Sequence, residues 1–499
     1  MAMVLEFFSI TGMMDDASGF FPQCPRCQSN HGVQAVMNRM YLLLFGLAIA
    51  LAGAALWAFN TILEFEKPAI VLKDDLSTIG PGKAIALTVS DQKSGIRNVS
   101  VTISQEGRDQ VVLSENHAGG TKEQTLSPEL NLRGLNLKDG PATITITAED
   151  HSWLKNRTTL SVETSIDTVP PQIGMISSAH NVNAGGTGVA LYRLSEEVTR
   201  TGIRVGDRFF QGYPYALQGK PCYIAYFAIP PSASKGGLKI LITARDKAGN
   251  ESSVILPHLV REKKFKEDKI TLSRAFLEQK MPEFRQHDPR VPATPLEAFL
   301  FVNETLRGEN TRTIQATGSK SQRRQLWEGT FLRMKNAAPM AGFAQERTYL
   351  FEGMAVSKST QYGVDLASTE RAPIESANGG VIVFSGYLGI YGNAVIVDHG
   401  LGLASLYGHM SDISVKVGQT VARGETLGNS GVTGLAGGDH LHLSILVGGE
   451  FVNPTEWWDA HWIQDNVTDK LTETAPQAAS ATPKAQPAKA KGKGKKKKR

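Results

Sequence analysis

The sequence GDHLHLSI places His440 and His442 two residues apart. In an extended strand such residues point to the same face, so both imidazoles would project together. His409 in LYGHM and Asp365 in YGVDLAS add a neutral nitrogen and an anionic oxygen of the kind that zinc binds. His409 alone would read as a satisfied core histidine. Four such groups in apolar, glycine-rich strand motifs read as a site instead. Its chemistry would be that of a bound metal ion, for which imidazole nitrogens and a carboxylate are suitable ligands.

The elements that must hold these side chains are strands. From Gly342 the chain turns to runs such as GGVIVFSG at Gly379–Gly386, NAVIVDHG at Asn393–Gly400 and GLASLYGHM at Gly402–Met410. Alternating apolar residues between glycine turns predict a compact antiparallel β domain over 342–465. The segment VKVGQTVARGETLG at Val415–Gly428 lacks a hairpin-tip lysine in a modification motif and reads as scaffold for the strand returning to His440.

Between Gly342 and Trp458 the chain resembles the LytM or lysostaphin-like zinc endopeptidases of bacterial peptidoglycan. YGVDLAS, APIESANGG, GIYGNAVIVDHG, LASLYGHM, VKVGQTVARGETLG and TGLAGGDHLHL carry the resemblance, in the family's order. It implies an antiparallel β core with a groove, zinc (Zn2+) as cofactor, Asp365 and His442 as metal ligands, and His409 and His440 as catalytic residues that do not bind the metal. The implied activity is hydrolysis of peptidoglycan peptide bonds in wall remodelling or division. One position departs from the pattern. The family's first metal histidine, in a His-x-Gly-x-Asp motif, falls on Gln361 in QYGVD. An amide oxygen there replaces a softer imidazole nitrogen, so weaker zinc affinity or a different ligand arrangement is expected. One of His409 and His440 would orient or deprotonate the attacking water, and the other would steady the oxyanion or protonate the departing amine; sequence leaves the two roles interchangeable. The family also has non-catalytic members that regulate cell-wall amidases. The alternative is therefore a groove that binds peptidoglycan or controls a partner cell-wall hydrolase or division complex.

The rest of the chain has to bring this domain to its substrate. With 499 residues, 41% hydrophobic and 20% charged, it is long enough for several ordinary globular domains. Tyr41–Phe59 is free of charge and predicts a transmembrane helix over 41–63. Arg39 before the run, and Trp57, Glu64, Glu66 and Lys67 around its end, suit an uncleaved single-pass anchor in a bacterial inner membrane, with the bulk of the chain facing the periplasm or cell wall. MNRMYLLLFG also reads as a natural beginning at Met37 or Met40, which would make residues 1–40 a mis-assigned short segment. The CPRC pair, Cys24 and Cys27, lacks the further soft ligands of a zinc knuckle and reads as incidental. Cys222 reads as a small buried hydrophobe.

Residues 68–165 and 166–256 show alternating runs such as VSVTIS, ATITITA and LKILITA, divided by DTVPPQI. They resemble tandem bacterial immunoglobulin-like β-sandwich modules, so the expected fold class is mainly β. The modules end alike, in AED at Ala148–Asp150 and ARDKAGN at Ala244–Asn250. Their acidic turns show no converging oxygen set for calcium in the sequence, and a spacer role is expected. Residues 257–341 predict a partly helical connector, with a helix at Leu296–Leu306, that packs on the terminal domain. Trp457, Trp458 and Trp462 are expected to close a hydrophobic seam. Segment 466–499 predicts a disordered Lys-rich tail. Nine basic residues and no acid in Ala481–Arg499 account for more than the net charge of +5, leaving −4 elsewhere. No specific nucleic-acid partner is expected, and the tail's charge would favour anionic envelope polymers or lipids.

Overall fold

The computed structural model describes residues 31–472, apart from positions 63, 82, 133, 178, 179 and 235. Cys24, Cys27 and the Lys-rich run lie outside the described residues. The helix His31–Ile62 contains the apolar run, and Arg39–Trp57 has a mean hydropathy of 2.1 with none of it buried. Among the described residues it is the one helix long and apolar enough to cross a membrane.

The remaining chain is mainly β and divides into two compact units. The first takes in the described part of Met1–Asp75 with Ile85–Pro128 and Thr143–Val162. Its strands Ala69–Leu72, Leu87–Ser90 and Glu123–Leu126 form one antiparallel sheet, and Ile96–Gln105 is paired on both edges, by Arg108–Asn116 and by Gly140–Asp150. Period-two alternation sends Val99, Val101 and Ile103 to the same buried layer as Ile144, Ile146 and Ala148.

The second unit comprises Leu76–Ala84, Glu129–Ala142 and the chain from Glu163 onward. It opens with two four-stranded sheets, built around Thr187–Leu194 with Lys220–Ala228 and around Val198–Val205 with Ile240–Asp246. Their shared core of Val189, Leu191, Ile203, Ile224 and Ile242 continues into the terminal domain. Trp457 is fully buried at the join, with ring centroids 6.1 Å from Tyr226, 5.4 Å from Trp327 and 5.3 Å from Trp462. Glu456 beside it accepts from Asn183 Nδ2 at 2.7 Å and from the Thr187 amide at 2.8 Å. The second β block and the terminal domain are thus one body.

The connector is less helical at its start than its composition suggests. Glu267–Thr271 is a strand, paired in parallel with Gln345–Phe351. The helix Arg274–His287 follows, capped by Ser273, whose side chain accepts from the Phe276 amide, and it buries Leu277, Met281 and Phe284. The next helical stretch starts at Pro295 and passes Leu306, running through a π turn at Val302–Leu306 and on over Arg307–Gly318. That last part is polar and buries few residues, so no apolar periodicity announces it; Asn310 anchors it by accepting from the Ile390 amide at 2.9 Å.

In the terminal domain the main sheet runs Ala338–Ala341, Val364–Ala367, Leu441–Val447, Leu403–Ile413, Asn393–Gly400, Gly380–Tyr387 and Thr420–Val421. Leu441–Val447 is buried along its whole length because each of its faces meets a different core. Leu441, Leu443, Ile445 and Val447 join the core around Trp457, while Leu446 joins a second one around Phe299, Leu388 and Tyr391.

Candidate active site

That two-core arrangement decides where the polar side chains go. With 441, 443 and 445 committed to one core, strand alternation delivers His442 and Ser444 to the opposite face. On the neighbouring strand Val364 and Leu366 face the same core as Leu443, so Asp365 faces with His442, its direct cross-strand partner. Gly363 makes room for the imidazole: a Cβ there would stand 2.6 Å from His442 Nε2.

His409 reaches this face by breaking the alternation. Leu403 and Tyr407 face the Trp457 core, and continued alternation would send His409 there too. Instead the pairing with Asn393–Gly400 slips between Val395/Tyr407 and Asn393/Met410, and His409 takes a left-handed φ of 63°. The bulge turns its ring toward His440, with centroids 4.7 Å apart, and toward His442 at 5.8 Å. His440 lies just ahead of the Leu441–Val447 strand, in an isolated bridge with Gly431.

Hydrogen bonds fix each ring. Ser444 Oγ donates to the Tyr362 carbonyl at 2.6 Å and so accepts from His442 Nε2 at 2.9 Å, which leaves Nδ1 of a neutral His442 as a lone pair. That lone pair faces Asp365 Oδ1 at 2.8 Å. The side-chain amide of Gln361 completes a triangle, with Nε2 2.6 Å from Asp365 Oδ1 and 3.1 Å from His442 Nδ1. His409 donates from Nδ1 to the Thr433 carbonyl and His440 from Nδ1 to the Gly438 carbonyl, both at 2.8 Å, so each offers Nε2 as an acceptor. His440 Nε2 is 3.8 Å from Asp365 Oδ1.

Burial opposes ionisation of Asp365, but its contact with His442 and the nearby His440 and Arg347 hold its carboxyl well below the usual carboxylate range. Burial, reinforced by His440 and His442, pushes His409 well below the ordinary imidazole value and keeps it neutral at pH 7.

All five expected residues, Gln361, Asp365, His409, His440 and His442, line one cleft of about 500 Å³. Its other wall comes from the connector, through Ile270, Leu272, Phe276 and Phe299. Two residues that sequence reasoning overlooked also line it. Arg347 pairs with Asp365 Oδ2 at 3.1 Å, and Arg307 is held by Asn303 Oδ1 at 2.7 Å. Neither lies in a recognisable motif. Ser444 was equally overlooked, although its i+2 spacing from His442 could have revealed it.

Comparison with known proteins places this geometry. The model of peptidase family M23 matches residues 359–454, a segment that holds every one of the five expected residues. The C-terminal part of this chain is an M23 peptidase domain. It is 41% identical over 92 residues to the DD-carboxypeptidase/endopeptidase Mpg of Neisseria meningitidis, covering 18% of this chain and 21% of that protein. It is 40% identical over 91 residues to the peptidoglycan DD-endopeptidase ShyA of Vibrio cholerae, again covering 18% and 21%. The chain thus spans about a fifth of the length of these curated relatives. Among solved structures, the catalytic domain of lysostaphin from Staphylococcus simulans is 28% identical with a TM-score of 0.21, covering 24% of this chain and 90% of that one. A zinc-containing peptidase from Vibrio cholerae is 13% identical with a TM-score of 0.25, covering 63% and 80%.

The M23 family suggests zinc, and the donor set can be tested against it. Nδ1 of His442 and Oδ1 of Asp365 are acceptors 2.8 Å apart that turn toward one point, where the Gln361 amide now donates and where a metal ion would be bound by both. Ser444 holds the ring proton on the far nitrogen, the arrangement that commonly supports a metal-bound histidine. Turning the Gln361 amide by half a turn presents Oε1 to the same point. The residues therefore fit a zinc ion, with a weaker third donor than imidazole.

Proposed function

We propose that the chain is a membrane-anchored endopeptidase that hydrolyses peptide bonds of bacterial peptidoglycan, with zinc held by Asp365, His442 and the amide oxygen of Gln361. The approach of His442 Nδ1 to Asp365 Oδ1, with the ring proton held away by Ser444, is the observation that carries this reading. When bound, zinc supplies Lewis acidity and lowers the pKa of its water. His409 and His440 present Nε2 acceptors to the cleft; one receives the proton of the attacking water while the other orients it, and the protonated ring then delivers that proton to the departing amine. Arg307 and Arg347 line the cleft, balanced in charge by Asp268 and Asp365, and their guanidinium groups would receive the free carboxylates of a stem peptide. The DD-specificity in the names of the relatives agrees with such a substrate.

In this reading the helix His31–Ile62 anchors the protein in the inner membrane, and the β modules ahead of the terminal domain are immunoglobulin-like and hold it on the periplasmic side, toward the wall. A second reading has one observation in its favour. As oriented, Gln361 Nε2 donates to Asp365 while Arg347 neutralises the other carboxylate oxygen, which supports a metal-free groove that binds peptidoglycan or regulates a partner hydrolase. Zinc content of the full chain in detergent, paired with mass spectrometry of peptidoglycan digests with and without chelator, separates the two. Stoichiometric zinc with chelator-sensitive new peptide ends is the expected result. Peptidoglycan binding without zinc or cleavage would establish the second reading.

A further inference from the structure

Two groups of three carboxylates converge away from the cleft. In the first unit Glu64, Asp91 and Asp150 each bring a carboxylate oxygen within 4.8 Å of the others, and in the second unit Asp167, Glu196 and Asp246 do the same. The groups occupy equivalent places in their β modules. Each has one residue at the module's entry, one in the turn after a strand (Leu87–Ser90 or Thr187–Leu194), and one at the end of another (Gly140–Asp150 or Ile240–Asp246). An asparagine braces each group: Asn156 Nδ2 donates to Asp150 Oδ2 and the Glu64 carbonyl, and Asn250 Nδ2 to Asp246 Oδ2 and the Asp167 carbonyl.

The first group is buried, with exposures of 5% for Glu64, 4% for Asp91 and 0% for Asp150. Backbone and hydroxyl donors satisfy part of it. Asp91 Oδ1 accepts from the Gly95 amide at 2.7 Å, Asp150 Oδ1 from Ser152 Oγ at 2.7 Å, and Glu64 Oε2 from the Ser94 amide at 3.0 Å. Glu64 Oε1 has no hydrogen-bond partner at all. Among the described residues no lysine, arginine or histidine forms an ion pair with any of the three; Lys93 pairs with Glu66 instead. Three buried carboxylates without a countercharge are costly, and the unsatisfied Glu64 oxygen adds to that cost.

We propose that Glu64, Asp91 and Asp150 bind a calcium ion. Oxygen-only, anionic donors select a hard cation over zinc, and their spread suits the long, flexible bonds of calcium better than the tight octahedron of magnesium. The ion would tie Glu64, two residues beyond the helix His31–Ile62, to the ends of two strands of the first unit, stiffening the exit from that helix. The second group is partly exposed and has no buried unpartnered oxygen, so it is outside the proposal.

Equilibrium dialysis of the full chain in detergent with radioactive calcium, alongside melting curves in calcium and in chelator, tests this. One site saturating by about 1 mM, in the range of extracellular calcium modules, is expected at this group, together with a melting temperature raised by several degrees; magnesium should give a much smaller rise. Glu64→Gln and Asp91→Asn should each weaken that site at least tenfold. In chelator Glu64→Gln should melt no lower than wild type, since it removes an unpaired buried charge. A wild-type protein that binds no calcium overturns the proposal, as does calcium binding unchanged in both variants. Should both variants fail to fold, the wild-type melting response decides alone: no rise with calcium overturns it.

Discussion

Nδ1 of His442 lies 2.8 Å from Oδ1 of Asp365, while the proton that would reconcile them sits on the opposite side of the ring, held by Ser444. Gln361 occupies the third corner, 2.6 Å and 3.1 Å from these atoms. An imidazole there would add a strong nitrogen donor without disturbing the other two. Gln361→His is therefore expected to raise zinc affinity by at least about 10-fold to 100-fold, judged by the size of ligand-shell effects. Release of new peptide ends from peptidoglycan should rise with it. Competition against a chromogenic chelator, followed by product analysis, checks both; unchanged affinity would count against a weakened zinc centre.

Ser444 acts on the metal position through His442 alone. Ser444→Ala removes the acceptor that keeps the proton on Nε2 and frees the ring to place it on Nδ1, toward Asp365. Zinc affinity is expected to fall by roughly 10-fold to 100-fold, while the lost hydrogen bonds cost only about 1 kcal/mol of stability. A chelator titration beside a denaturant melt distinguishes this from simple unfolding. Loss of affinity in step with a collapsed melt would mean that Ser444 is only a packing residue.

The strongest parts of the site were legible because strand geometry is periodic. HLHLSI predicts two histidines close together, and YGVD predicts a carboxylate on a strand; the structure pairs Asp365 directly with His442. His409 was found as a residue type in a motif, but its arrival on the same face depends on a bulge and a left-handed φ that alternation alone would have denied. Arg347 and Arg307 left no signal, since a basic residue in a strand or helix reads as surface until its carboxylate or asparagine partner is known. The connector wall was hidden for a topological reason: Glu267–Thr271 pairs in parallel with a strand nearly eighty residues later, and no local pattern encodes so distant a contact. The carboxylates of the first β module were hidden likewise, because their convergence joins a module's entry, a turn and a strand end.

Two buried histidines away from the cleft give the fold a pH dependence. Burial pulls both His180 and His399 down to about 4, with Lys470 assisting at His180 and the Gly379 carbonyl opposing at His399. Both are neutral in the native state across the window from 6.5 to 4, whereas the unfolded chain binds protons there. Stability therefore falls as pH drops through that window, each histidine contributing on the order of 3 kcal/mol at its lower end. Melting curves at intervals from pH 7 to pH 4 should show this decline, and His399→Gln should flatten it. A melting temperature constant over the window would contradict the assignment.

Trp457 tests how much the shared core contributes to holding the second β block and the terminal domain together. Its ring is fully buried among Tyr226, Trp327, Phe331 and Trp462, and its Nε1 donates to Thr187 Oγ1 at 3.3 Å. Trp457→Ala leaves a large void where the two sheets and the terminal domain share one core, at a cost of about 3–5 kcal/mol. Because Glu456 next to it anchors Asn183 and the Thr187 amide, the damage should concentrate at the join and leave the outer strands folded. Limited proteolysis is then expected to cut the variant between Leu256 and Gly342 at protease levels that spare the wild type. A variant that loses stability throughout and is cut everywhere at once would show that the two parts have no separable stability; one that resists like the wild type would show that this seam contributes little.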